Sequence, residues 1–399
     1  MEEWKEYKAS MFCASVTDGT HDSPKPQDRG HYLITSKHLK DNDIDFSSAN
    51  LISDEDYNKV IQRSAVEKYD ILYSMIGTIG NVVQVKFDSI DFAVKNMGIF
   101  KMGKDALRST WMYYWLKSPS SREYVYQRLA GSTQSYLTLN SLREFPILYP
   151  GDIKAKKIVS ILKSLDDKIE VNRKINENLE QQVQALFKSW FVYFEPFKNG
   201  EFVESELGMI PKGWRVGSIY DYIDVVYGAP YKSSLFNDKK EGLPLIRIRD
   251  LKTNAPQFYT PEILPNTEFV KAGDIVAGMD AEFIPYVWLG EKGVLNQRCC
   301  KFRGKNEAIS NYYILFLIKP ELEYVQSYKT GTTVSHLGKS DIDRFRFVTP
   351  PLDVIKSFSD LVDGMLKELV NRANESRRLA ELRDTLLPKL MSGEIKVNE

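Results

Sequence analysis

The segment Gly131-Ser-Thr-Gln-Ser-Tyr-Leu137 returns as Gly331-Thr-Thr-Val-Ser-His-Leu337, an offset of 200 residues. No other feature of the chain limits its fold so strongly. The same offset relates Phe145 to Phe345, Pro150 to Pro350, Leu179 to Leu379 and Leu186 to Leu386. Further upstream it drifts, as insertions in loops require: Leu33-Ile-Thr-Ser-Lys-His-Leu-Lys40 resembles Leu245-Ile-Arg-Ile-Arg-Asp-Leu-Lys252, Tyr69-Asp70-Ile71 resembles Gly273-Asp274-Ile275, and Trp4 corresponds to Trp214. Self-similarity at a fixed period means repeated structural units. The chain reads as two copies of one unit, roughly 4–190 and 214–390.

Each copy has the same internal order. A globular part comes first, with short β-branched and aromatic runs at Ile71–Met75, Val82–Phe87, Leu245–Ile248, Asp274–Ala277 and Tyr312–Ile318. Separated by Gly, Asn and Asp, these read as strands. A long helix is expected after Pro150 and again after Pro351. Its apolar spacing in the first copy is Ile158, Leu162, Leu165, Ile169, Asn172, Asn176, Leu179, Val183, Leu186, Trp190; in the second it is Phe358, Val362, Met365, Leu369, Arg372, Ser376, Leu379, Arg383, Leu386, Leu390. Steps alternating four and three are a heptad seam.

Both seams turn polar at their centre, and antiparallel pairing brings the polar layers together. With facing numbers that sum to about 548, Asn172 meets Ser376, Asn176 meets Arg372, Ile169 meets Leu379, Leu179 meets Leu369, Val183 meets Met365 and Trp190 meets Phe358. Arg383 opposite Leu165 is the one mismatch, its stem free to lie on apolar surface with its head in water. The expected class is α+β: two mixed α/β domains separated by two long helices that form an antiparallel coiled coil, with pseudo-two-fold internal repetition. Two unrelated amphipathic helices are the plainer alternative, and an offset kept through ten seam positions argues against it.

Composition narrows the function. Lys and Arg number 54, Asp and Glu 54, whereas a chain that binds DNA unaided is usually basic. The apolar run Tyr312–Ile318 is far too short to span a bilayer, and the acidic start Met1-Glu-Glu-Trp-Lys-Glu is unlike a signal peptide. Cys13, Cys299 and Cys300 supply neither a disulfide framework nor a paired metal site. A cytoplasmic location is expected. Catalytic constellations are missing: Gly338-Lys339-Ser340 lacks the earlier glycine of a phosphate loop, since position 333 is threonine, and Gly77-Thr-Ile-Gly80 reads as a turn. Thr349-Pro350-Pro351-Leu352 does not supply the Asn/Asp-Pro-Pro-aromatic motif of adenine methyltransferases. No catalytic, cofactor-binding or metal-binding residue is expected.

Two similar heads on a semi-rigid rod suit a partner with two binding positions at fixed spacing, and DNA is the natural one. Heads that differ in sequence call for two different half-sites. The order of globular region, helix, globular region, helix resembles the specificity subunit of type I restriction–modification systems. Leu379-Ala-Glu-Leu-Arg-Asp-Thr-Leu-Leu-Pro-Lys-Leu-Met-Ser-Gly-Glu394 is similar to that family's carboxy-terminal conserved region. Ile210-Pro-Lys-Gly-Trp214 resembles the entry to its second target-recognition domain, and Leu243-Pro-Leu-Ile-Arg-Ile-Arg-Asp250 a strand region within it. The first copy lacks the Pro-Lys-Gly lead, and Tyr69 stands where the second has Gly273. The resemblance implies target-recognition domains at 1–150 and 196–350, a central conserved helix at 151–195 and a second at 351–399. It implies a non-catalytic reader of double-stranded DNA whose helices dock two modification (methyltransferase) subunits. S-adenosylmethionine belongs to those subunits, and motor-nuclease restriction subunits join the complex. A coiled-coil scaffold with protein-binding heads is the alternative from another class.

Base readout needs Arg or Lys toward guanine and Asn or Gln toward adenine. Candidates in the first head are Lys37, His38, Lys40, Lys95, Asn96, Ser132, Thr133 and Gln134; in the second, Arg247, Arg249, Lys252, Gln297, Arg298, Thr332, Thr333 and His336. Gln134 and Gln297 each lie in a segment resembling a family motif. Arg247 and Arg249 alternate with Leu245, Ile246 and Ile248, which would put them on one strand face. Any single Lys or Arg competes with the reading of a solvated surface charge, and His336 with that of a locally bonded residue.

Overall fold

The two ends of each globular region are tied by a pair of antiparallel strands: Lys5–Lys8 with Pro146–Tyr149 in the first, Arg215–Ser218 with Arg346–Thr349 in the second. The structure, a computed structural model, describes residues 4–40, 43–130, 135–329 and 335–397. It forms two units, one of Met1–Asp167 with Leu379–Glu399, the other of Lys168–Arg378. Each contains a four-stranded antiparallel sheet of the same strand order: Ser15–Asp18, Met97–Lys101, Ile71–Ser74, Val82–Gln84 in the first, and Ile223–Tyr227, Cys299–Gly304, Ile275–Gly278, Pro285–Val287 in the second. Each also has a second sheet built on a parallel pair, His31–Ile34 beside Phe92–Val94 and Leu243–Ile246 beside Gly293–Leu295. The repeat in sequence is a repeat in topology.

Turn chemistry repeats with it. Tyr69 and Gly273 both take positive φ, 73° and 96°. The next residue, Asp70 or Asp274, accepts a hydrogen bond from the backbone N–H three residues before it, at 2.8 Å from Glu67 and 2.9 Å from Lys271. Each buried carboxylate is neutralised by a lysine from the central strand, Lys101 at 2.7 Å and Lys301 at 3.1 Å. Glycine adopts this backbone without strain, whereas a tyrosine there costs about 1 kcal/mol.

Two strand expectations fail. Tyr312–Ile318 lies in the helix Asn311–Lys329, not in a strand. Tyr312, Tyr313, Ile314 and Ile318 are all fully buried, so the run is apolar all round and its pattern carries no period to separate helix from strand. Its counterpart in the first copy is the helix Ala106–Lys117, where Trp111–Leu116 is buried without a break. The strand expected at Leu245–Ile248 ends at Ile246, and Arg247 caps a short helix, Ile248–Leu251. Arg247 and Arg249 therefore do not share a strand face.

The long helices run Asp152–Phe191 and Leu352–Met391, 40 residues each, or about 60 Å at 1.5 Å per residue. Every expected seam position is buried or half-buried. In the first unit Ile158 and Leu162 join one core with Leu387, Leu390 and Met391. In the second, Val183 joins Phe358, Val362 and Leu369, with Leu179, Leu186, Trp190 and Met365 packed alongside. Pairing is antiparallel. Trp190 and Phe358 meet edge-on with ring centres 5.9 Å apart, and Asn172 donates to Ser376 at 3.2 Å, as the register requires. Two details differ. Arg372 donates to Asn172 at 3.2 Å rather than facing Asn176, whose amide instead donates to the Leu369 carbonyl at 3.3 Å. The Arg383 head is not in water: it lies 2.6 Å from Asp166, the neighbour of Leu165, and Asp166 also accepts from the Tyr114 hydroxyl at 2.8 Å. Val159 is buried outside the seam in the core of the first unit, and Phe187, Phe191 and Ile355 in that of the second, because each helix segment also packs the globular region of the unit it lies in.

Candidate nucleic-acid interface

The turn that follows the parallel strand pair gathers polar side chains in both heads. In the first, the Lys95 amide donates to the Ile34 carbonyl and the Asn96 amide to Thr20; in the second, Asn296 donates to Ile246 and Gln297 to Ala229, all at 2.9–3.0 Å. Asn96 and Gln297 thus hold equivalent places. Beyond them, Gly19 bonds the Met97 carbonyl and Gly228 that of Cys299, so Arg298 is one residue more than the first head carries. Both glycines are required by close approach. A Cβ on Gly19 would lie 2.3 Å from the Val94 carbonyl oxygen, and one on Gly228 2.1 Å from that of Asn296.

In the second head this turn is one group. Asp280, just past the strand Ile275–Gly278, holds Arg298 at 3.0 Å and His336 at 2.6 Å. Arg298 and His336 remain about half exposed, and Gln297 is exposed beside them. The first head builds a comparable group from different residues. His21 bridges Asn96 at 2.8 Å and Asp18 at 3.0 Å, Arg63 meets Asp18 at 3.1 Å, and the Lys95 ammonium bonds Ser23. His21, Arg63 and Asp280 were not singled out from sequence. His21 and Arg63 are 42 positions apart in the chain, and only the fold shows that they converge on Asp18.

The remaining candidates divide. Lys37, Lys40, Arg249 and Lys252 are exposed in the short segments that follow the parallel strands, with Lys40 ion-paired to Asp45 at 2.7 Å. His38 is a correction. It is buried, its Nδ1 accepts from the Thr35 amide at 2.9 Å, and its Nε2 faces the Ser48 carbonyl at 3.3 Å. Burial holds its pKa below the usual imidazole value, and a neutral, occupied ring shapes the turn instead of meeting a ligand. Asp250 does the same work in the second head, accepting from the Arg247 amide at 3.1 Å. Arg247 is corrected likewise: its head is mostly buried, bonded to Asp250 at 3.1 Å and stacked over Phe258 at 4.5 Å. Ser132, Thr133, Gln134, Thr332 and Thr333 lie outside the described residues.

Among the described residues no group of three or more His, Cys, Asp or Glu is placed to hold a metal ion, and no helix is long and apolar enough to cross a membrane. All three cysteines are buried, and burial pushes the thiols of Cys13 and Cys300 up to about 12. The amide of Gly338 is already bonded to Asp341 at 2.8 Å.

Comparison with known proteins bears on the family of the chain. The family described as the type I restriction modification DNA specificity domain matches residues 22–181 and 211–375. The specificity subunit of the type I restriction enzyme MjaIX from Methanocaldococcus jannaschii is 30% identical over 321 residues, covering 74% of this chain and 71% of that protein. The HindI specificity subunit from Haemophilus influenzae is 24% identical over 406 residues, covering 84% and 88%. The crystal structure of a type I restriction-modification S subunit from M. genitalium aligns with a TM-score of 0.51 at 14% identity, over 97% of this chain and 96% of that one. That likeness is one of fold.

Proposed function

The chain belongs to the type I restriction modification DNA specificity family, and from that premise we propose how it recognises DNA: each head reads one half of a bipartite, asymmetric site. The observation that carries this reading is the paired turn. One topology presents Lys95, Asn96, His21 and Arg63 in the first head, and Gln297, Arg298 and His336 in the second. Asn and Gln suit adenine, and Arg suits guanine, through the major-groove edge. Equivalent positions carrying different side chains give two half-sites of different sequence.

The chain itself is non-catalytic in this reading. The paired helices dock two methyltransferase subunits, which bind S-adenosylmethionine and modify adenine, and restriction subunits join through that complex in the cytoplasm. A balance of 54 basic and 54 acidic residues supports a division of labour in which the methyltransferases supply much of the phosphate contact. The isolated chain then binds DNA weakly. Co-expression with the neighbouring modification subunit, followed by sequencing of methylated bases in host DNA, tests the proposal. A split asymmetric motif with methylated adenines is expected. No complex would favour the scaffold reading, and a complex without new methylation would mark a mismatched or degenerate subunit. Neighbouring genes distinguish a restriction system from a methylation-only one.

A further inference from the structure

The two heads differ in one place where their shared topology requires no difference. In the first unit a cleft of about 890 Å³ opens over the strand Val82–Gln84. Its charged lining is Lys40, Lys117, Arg122 and Arg383, and no Asp or Glu stands among its described lining residues. At the matching place in the second unit, over Pro285–Val287, the space is about 310 Å³ and its charged lining is Glu177, Glu180 and Lys319. Volume falls to about a third and the sign of charge reverses.

One exchanged residue changes the loop that precedes Pro285–Val287. Gln326, the counterpart of Tyr126 at the offset of 200, donates to the Ala281 carbonyl and accepts from the Phe283 amide, both at 2.8 Å. It pins that loop down, with Phe283 fully buried. Tyr126 has no amide with which to do this, and its side chain is 80% exposed at the cleft. The cleft is therefore a property of this head and not of the fold.

Three of its cations are held in place by neighbours. Lys117 donates to the Tyr113 hydroxyl at 2.8 Å, Arg383 lies 2.6 Å from Asp166 and 2.8 Å from Asp384, and Lys40 lies 2.7 Å from Asp45. Arg122 is exposed. Burial pulls the Lys117 ammonium down to about 8, with Arg383 and Lys86 adding to the shift and Asp166 and Asp384 opposing it. An anion brought into the cleft would favour the charged form again.

We propose that this cleft binds a nucleotide, with its phosphates against Lys117, Arg122 and Lys40 and its ring on the exposed face of Tyr126. The volume lies in the range of small-ligand sites, clustered cations select phosphate, and an exposed tyrosine offers a base a stacking surface. The acidic counterpart in the second head argues against a phosphate track common to both heads, so a free nucleotide is the expected source. A nucleotide within a DNA strand is the other source of the same chemistry.

The test uses the full chain, titrated calorimetrically with ATP, AMP, inorganic phosphate and a short single-stranded oligonucleotide. Arg122→Gln and Tyr126→Ser alter exposed side chains, and Lys239→Gln, an exposed residue of the second head, controls for net charge. Saturable ATP binding is expected, weakened about tenfold by R122Q as for a lost charge-assisted bond and unchanged by K239Q. Y126S should weaken ATP and AMP more than inorganic phosphate. Oligonucleotide binding with the same variant pattern, and none by ATP, would uphold the cleft and assign the nucleotide to a strand. Absence of saturable binding by every probe, or equal losses in R122Q and K239Q, would overturn the proposal and leave the recognition role of the chain untouched.

Discussion

Arg298 sits in a turn one residue longer than its counterpart, steered by the carboxylate of Asp280. An arginine fixed in this way has its fork oriented before a ligand arrives, which favours bidentate contact with a guanine edge. Arg298→Ala should weaken binding of the methyltransferase complex to its site by about 1–3 kcal/mol and relax base preference at one position of one half-site. Competition binding with single-base variants of the methylated motif measures both; an equal loss on every DNA sequence would make Arg298 a phosphate contact. Lys117 carries a prediction of a different kind. Its folded pKa of about 8 lies below the ordinary 10.5, so between those values the unfolded chain holds a proton that the folded chain has released. Raising the pH through that window favours the fold. Tyr113 and Tyr114 act oppositely above about 10, because burial raises their pKa values and only the unfolded chain ionises there. The gain should therefore appear between about pH 8 and pH 10. The urea midpoint of the wild type relative to Lys117→Met should rise over that interval; a constant difference would count against a depressed Lys117.

Where the long helices meet within the first unit, Arg383, Asp166 and Tyr114 form a half-buried chain of polar contacts. Removing one partner strands the other, so Arg383→Met should destabilise by about 3–5 kcal/mol. The double variant Asp166→Leu/Arg383→Met should recover most of the loss. A residue of about 1–3 kcal/mol would remain because the Tyr114 hydroxyl keeps no acceptor. Additive losses in thermal unfolding would show that the pair is not coupled. This arrangement also marks the limit of what the sequence revealed. Heptad spacing located both helices, their antiparallel sense and the facing of Asn172 with Ser376, because a seam repeated through ten positions has few solutions. It did not place the Arg383 head, since an aspartate one position off the seam has no periodic signature. Nor did it separate helix from strand at Tyr312–Ile318, where burial on every side erases the pattern. Residue type alone makes His38 and Arg247 candidates for base readout, and it is the local cap around each, Thr35 with His38 and Arg247 with Asp250, that turns them inward.

At the scale of the whole chain, the repeat and the charge balance act together. A single head with one half-site would bind a short sequence, and a palindromic pair of heads would read the same sequence twice. Here the topology is duplicated while the edge turns diverge, which makes each half of the target depend on one stretch of sequence. Replacing 211–350 by the matching region of a relative should therefore change one half of the methylated motif and leave the other intact. The long helices, with their Asn172–Ser376 layer, remain those of this chain, so the spacer between the halves should also persist. Methylated-base sequencing of host DNA reads all three at once. A motif altered in both halves would show that the heads do not read independently, and an altered spacer with both halves kept would move the spacing determinant from the helices into the exchanged region. The neutral chain adds an ionic condition. On the proposed division of phosphate contacts, the salt dependence of binding should be set mainly by the methyltransferase subunits and should stay nearly the same after the exchange, even as the sequence that is bound changes.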